Sequence, residues 1–288
     1  PRPGSLAAGP PWSHTVGMKK QILIVCALLC VSSAAAAADP LATLPSADAS
    51  RIHKHLPGVV LGPAEHVKPL ADVNDWYPLQ NATFRYDRPS TDGKKATVVL
   101  SSGVRSPGSP VGGTANGWMM TVSDGATRYL SQRATEGIVI PTEVSTANGL
   151  LIRLNPPEPI VLVGLKEGQV DSRDIAVKIY DIHDPTVVTH SGTITCKWTD
   201  LGGWRVKVPS SEYDTRLIRL TYEGSIGPAS VNAQNYIFLA PGIGAVAFTD
   251  SRHVSAFLFF NDDTSHAGVL ESMELKQESG HAPAKAAK

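Results

Sequence analysis

The densest cluster of titratable side chains in the sequence is Asp181, His183, Asp184 and His190. A carboxylate beside a histidine can orient an imidazole for proton abstraction, so Asp181, His183 and Asp184 are the catalytic candidates, and hydrolysis is the chemistry they would serve. The same residues stand before Pro185 in an apparent turn, where aspartate commonly acts as a local hydrogen-bond acceptor instead. A second cluster holds His53, His55, Glu65 and His66. Two histidines two positions apart face the same way in a strand and could share a metal, with His66 as a third ligand. In a segment without regular structure, however, binding would have to offset ordering entropy. No fixed carboxylate or cysteine completes the set. The sequence is therefore read without a metal or any other cofactor, and these histidines as solvated.

Other catalytic frames are missing from the sequence. No Gly-x-Ser-x-Gly elbow precedes a helix, and no Ser-x-x-Lys stands at a helix start. No dinucleotide fingerprint or phosphate loop occurs. Trp76, Tyr77, Trp118, Trp198 and Trp204 could form a stacking platform, but core packing is the commoner use of such rings. His253 and His266 flank an apolar run and read as surface groups at a hairpin end.

The elements that must position these residues are strands. Short runs rich in Val, Ile, Thr, Tyr and Phe alternate with Gly, Asn, Asp and Pro, and no stretch sustains apolar residues at helical spacing. Candidate strands begin at Ala82–Asp87 and Ala96–Ser101 and end at Ser255–Phe260 and Val269–Leu275. Asp92-Gly93, Asp124-Gly125 and Asn148-Gly149 supply the positive φ of tight hairpins, so neighbouring strands should pair antiparallel. Pro241, Gly242 and Gly244 predict a structural turn. The fold class is mostly β: a large antiparallel curved sheet, a sandwich or an open barrel, with a short or absent helical part. Asn155–Pro159 and Asp181–Pro185 are possible seams, although one continuous domain is favoured over two. The Gly/Pro-rich loop 102–116 is the longest connection, and sequence assigns it no role.

Residues 1–17 read as an upstream, non-native segment. Residues 18–38 carry Lys19 and Lys20, an apolar run from Ile22 to Val31, and a small-residue stretch ending at Ala38, the three parts of a signal peptide. That run is too short to span a bilayer as a helix, which needs about 20 residues, and the mature chain shows no transmembrane segment. Val25 and Leu29 precede Cys26 and Cys30, which does not fit a lipid-modified cysteine. Cleavage would leave Cys196 alone, read as a buried thiol. Residues 39–75 read as an extended leader with one short helix near Ala47–His55, serving as a tether or an edge wrap. Residues 76–275 form the antiparallel β domain, and 276–288 a disordered tail. The chain has 26 basic and 26 acidic residues, without a basic cluster, which argues against a nucleic-acid partner.

Trp204–Pro209, Tyr213–Tyr222 and the stretch from Tyr236 to Val246, with its Ala-Pro-Gly-Ile-Gly-x-Val turn, resemble a pattern of uncharacterised secreted β proteins of bacteria. The opening Trp76-Tyr77-Pro78-Leu79 with Phe84-Arg85-Tyr86 is similar to how such domains begin. Loosely, the resemblance extends to the curved sheets of periplasmic lipoprotein carriers, whose concave face can hold acyl chains. In place of the usual Val-Pro-Ala-Gly stands Val208-Pro209-Ser210-Ser211. What the resemblance implies is an exported protein, periplasmic or extracellular. The leading functional expectation is non-enzymatic binding of an apolar small molecule or lipid, or of an envelope protein. A structural or surface-interaction module is the first alternative, and the Asp181/His183/Asp184 hydrolase the second.

Overall fold

The structure, a computed structural model, describes residues 39–88, 95–104, 117–123, 125–256 and 260–276, with the backbone alone for 254–256 and 260–264. After helix α1 (Ser46–His55), strand β1 (Val60–Pro63) and the single turn α2 (Val73–Trp76) come β2 (Ala82–Asp87), β3 (Lys95–Val104), β4 (Gly117–Val122), β5 (Ala126–Arg133) and β6 (Gly137–Ser145). They are followed by β7 (Leu150–Val161), β8 (Val170–Asp181), β9 (Asp184–Val208), β10 (Ser211–Ile226), β11 (Ala229–Ala240), β12 (Gly244–Ala256) and β13 (Phe260–Leu275). Each strand from β2 onward pairs antiparallel with the next, β13 pairs back with β2, and β1 adds to the outside of the β9 ladder.

Twelve strands, β2 to β13, therefore close on themselves, so the antiparallel barrel expectation holds, closed rather than open, and the sandwich does not. Closure satisfies the row of backbone donors and acceptors that an edge strand would leave exposed. Neither expected seam divides the sheet. Asn155–Pro159 lies inside β7, where register shifts against β6 absorb the prolines, and Asp181–Pro185 is the tight β8–β9 connection. The sequence also reads 193–198 and 204–208 as separate strands. They form one strand instead, bulged against β10 at Arg216/Ile218. At Gly203 a Cβ would lie 2.5 Å from the Ala64 carbonyl oxygen, so glycine lets the segment after β1 pass close by.

The alternation of each strand sets two faces. Asp174, Lys178, Lys197, Arg205, Lys207, Glu212, Asp214 and Glu223 are exposed on the outer wall, with cross-strand pairs such as Arg205–Asp214 at 2.7 Å and Lys207–Glu212 at 3.2 Å. Inward rows such as Phe84, Tyr86, Leu100, Met120, Ile138 and Leu220 are apolar and buried.

Residues 39–75 do not hang free as a tether: Leu41, Ile52, Leu56, Val60, Leu70 and Val73 are buried in the same core as the barrel. Helix α1 lies against the outer face of β10, β11 and β13. Its Asp48, 2% exposed, receives Arg219 Nη1 at 2.8 Å and the Tyr236 hydroxyl at 2.6 Å. Helix α2 sits by the β11–β12 turn, whose Gly242 N–H donates to the Asp75 carbonyl and whose Gly242 and Gly244 have φ of +73° and +103°. Trp76 is fully buried and donates to the Pro69 carbonyl at 3.1 Å. Trp198 and Trp204 are likewise core side chains, and the buried Asp200–Arg216 pair ties β9 to β10 between them. Cys196 is a buried free thiol whose pKa burial pushes up. Asp92-Gly93, residues 105–116 of the long loop and the tail beyond 276 lie outside the described residues.

Candidate functional site

The sequence-predicted site residues are not brought together. Asp181 accepts the His183 backbone N–H at 2.7 Å, and Asp184 accepts the Thr186 backbone N–H at 3.3 Å and its hydroxyl at 2.6 Å. These hydrogen bonds hold the Asp184 carboxyl below its ordinary pKa. Both aspartates thus shape the exposed β8–β9 connection rather than orient an imidazole. His190 packs against Gly227 at the neighbouring β10–β11 turn. His53 and His55 lie on α1, where residues two apart point away from each other. The His55 ring meets the Ser265 hydroxyl at 3.3 Å, and burial, with Lys54 and Arg51 nearby, lowers its pKa. His66 is exposed, 4.0 Å from Glu65. No three His, Cys, Asp or Glu side chains among the described residues are grouped to hold a metal ion.

The concave site is the barrel lumen. A cavity of about 250 Å³ runs from Tyr77 and Pro78, just after α2, to Arg88, Val122 and Ala126 at the opposite end of the strands. Alternation explains which residues reach it. Leu220 and Tyr222 point in while Arg219 points out to α1; Asn235 and Ile237 point in while Gln234 and Tyr236 point out; His266 points in while Ser265 points out. Most of the wall is apolar. Phe84 and Tyr86 stack at 6.5 Å, and Tyr86 meets Phe248 edge-on at 5.3 Å. Gly268, directly across from Phe248, makes room for that ring, since a Cβ there would lie 2.6 Å from it.

Polar groups enter the lumen on two arcs. On one, Arg128 of β5 donates to Glu143 of β6 at 2.8 Å, and Tyr222 of β10 donates to Glu158 of β7 at 2.6 Å. Burial raises the Glu158 pKa, against the opposing pull of the Tyr222 hydrogen bond and Arg128. The Glu143 charge, aided by its hydrogen bond, raises that of Arg128 over the cost of burial. Tyr222 is also pushed up, by burial first and then by the Glu158 charge. Glu158 is therefore a carboxyl biased toward its neutral form in an apolar chamber. On the other arc, the ladder register sets Asn235, Asp250 and His266 side by side on β11, β12 and β13, with Arg88 one strand further on. The Asn235 amide, turned so that its nitrogen faces Asp250, donates to Asp250 Oδ1 at 2.8 Å.

Sequence reasoning missed this set, and for His266 it was in error. Read as a surface group at a hairpin end, His266 faces the lumen because the β12–β13 ladder runs on well past it. A signal was nonetheless present: apolar rows of period two run into a polar residue in Phe84-x-Tyr86-x-Arg88, Glu158-x-Ile160, Asn235-x-Ile237 and Phe248-x-Asp250. Only closure of the sheet shows that these breaks share one chamber.

No family model matches the chain, and no curated protein matches it. Among solved structures it is similar to a Bacteroides fragilis chain with a YmcC-like fold, at 12% identity and a TM-score of 0.37, over 68% of this chain and 96% of that one. It is also similar to the hypothetical lipoprotein YmcC from Escherichia coli, at 10% identity and a TM-score of 0.35, over 81% of this chain and 98% of that one. At such scores the likeness carries no functional information.

Proposed function

We infer that this protein is an exported, water-facing β-barrel that holds a small, mostly apolar molecule in its lumen and performs no chemistry on it. The observation that carries this reading is the chamber of about 250 Å³ lined by Phe84, Val98, Leu100, Ile160, Leu220 and Phe248. An apolar cavity of about 150 Å³ is enough to hold a benzene ring, and ligand sites are typically concave, apolar chambers with a few placed polar groups. The charged outer wall supports a barrel that works in water, and the signal-peptide pattern of residues 18–38 supports export, periplasmic or extracellular.

The test is binding of a neutral fluorescent apolar probe, N-phenyl-1-naphthylamine, to the purified chain. Saturable binding that disappears in Ala96→Phe, which fills the lumen from the β3 wall, is the expected result. Unchanged binding in a folded Ala96→Phe variant would place the probe elsewhere and overturn the reading.

A further inference from the structure

The two arcs of polar groups in the lumen differ in how completely they are paired, and that difference identifies what is missing. Arg128 is taken up by Glu143, Glu158 by Tyr222, Asp250 by Asn235, and the Tyr86 hydroxyl donates to the Ala245 carbonyl at 2.8 Å. Arg88 Nε and His266 Nδ1, by contrast, are shut away from solvent without a hydrogen-bond partner among the described residues, and both residues line the cavity. Leaving a buried donor unmade costs about 1–3 kcal/mol, more for a charged group, so such orphans are rare and call for a partner. An arginine Nε can only donate. The group that completes it must be an acceptor, and a charged guanidinium favours an anionic one.

We propose that the molecule held in the lumen carries an anionic head of carboxylate type, which seats against Arg88 and His266 while its apolar body lies along Phe84, Tyr86 and Phe248. The proposal rests on the lumen-binding reading above and names the class of its ligand. Register supports a single seat for the head. Asp87 pairs with Val269, so the strand positions of Arg88 and His266 fall on adjoining strands and on the same inner face. The aromatic shelf lies two residues along, at Tyr86 on β2 and at Phe248 on the neighbouring β12, across from Gly268. Asp250, the cross-strand neighbour of His266, accepts from Asn235, and among the described residues no ion pair joins it to the Arg88 guanidinium. Such an arrangement would bind a short fatty acid or an aromatic acid better than the matching alcohol or amine.

The experiment displaces bound N-phenyl-1-naphthylamine from the full chain with octanoate, octanol and octylamine, three molecules with the same tail. Octanoate should compete at concentrations about tenfold lower than octanol, the size of one charge-assisted hydrogen bond, and octylamine should be the weakest. Arg88→Met should bring octanoate to the level of octanol without moving octanol itself. Arg88→Lys, which keeps the charge, should recover part of the preference and guards against a variant that merely misfolds. Equal competition by the three, or a preference for the amine, would overturn the anionic head yet leave the lumen reading standing. Failure of the probe to bind at all would remove both.

Discussion

The sheet around β11 carries a polar cluster on each face, and the two clusters are built differently. On the outer face Asp48, Arg219, Gln234 and Tyr236 are mutually hydrogen-bonded, and Arg219 reaches Thr199 as well. On the inner face the row of Asn235, Asp250, His266 and Arg88 ends in two buried nitrogens without partners among the described residues. The outer cluster is complete because its task is internal: it fastens α1 to the barrel through the one acidic side chain that α1 buries. The inner one is incomplete among the described residues. A buried network in which every member is satisfied rigidifies a fold, while one with open valences is where a ligand can enter without displacing anything. The lesson is that burial of charge alone does not mark a site; the pairing does.

Four variants would break or sharpen this contrast. Asp48→Ala removes the centre of the outer cluster and leaves Arg219 and Tyr236 beneath α1 without it, at an expected loss of about 3–5 kcal/mol in denaturant unfolding, with early loss of amide protection across 46–55. A loss below about 1 kcal/mol would mean that α1 is held by Ile52 and its apolar neighbours alone. Tyr236→Phe deletes one hydroxyl from the same network and should cost about 1–2 kcal/mol by the same measurement.

Glu158→Gln tests the inner face through pH. Because the folded carboxyl has a raised pKa, the native state holds its proton longer than the unfolded chain does. Wild-type stability from this group is therefore full below its ordinary value of 4.5 and falls as pH rises above it toward the folded value. Denaturation curves between pH 4 and pH 8 should show that decline in the wild type and a flatter profile in Glu158→Gln. Identical profiles would show that Glu158 is ionised and compensated in the fold. The smallest effect is expected for His266→Leu, which replaces an orphaned nitrogen with apolar volume and should leave stability within about 1 kcal/mol of wild type, or raise it. A large loss would reveal a partner for His266 inside the protein and close the contrast between the faces.

Much of the barrel was legible residue by residue. The run Ala82–Asp87 alternates strictly and is β2, with Ala82, Phe84 and Tyr86 buried. Asn148-Gly149 joins β6 to β7 as a tight antiparallel connection, with Gly149 at a φ of +66°. The helix read near Ala47–His55 lies within a residue of α1. Less legible were elements whose local signals conflict with their long-range partners. Gly202-Gly203 breaks the alternation of β9, and only a bulge against β10 carries the ladder across it. The three prolines of 156–159 look like a linker, but they lie where β7 shifts register against β6. The Asp181/His183/Asp184 cluster drew attention because titratable groups close in sequence are easy to see, whereas the lumen groups come from seven strands and the residue just past an eighth.

The sequence by itself determined the strand content, the antiparallel neighbours, the turns and, through period two, which side chains share a face. These are consequences of backbone geometry acting over a few residues, and they do not depend on what lies far along the chain. Tertiary structure alone decided that β13 meets β2. That closure turned one face into a chamber and gathered Arg88, Arg128, Glu158, Asp250 and His266 around it. It also decided that the leader lies packed on the wall, since Asp48 finds Arg219 and Tyr236 some 170 to 190 positions away. Contacts of such separation carry no local pattern, because they are selected by the summed burial of the whole sheet rather than by any preference of the residues that make them.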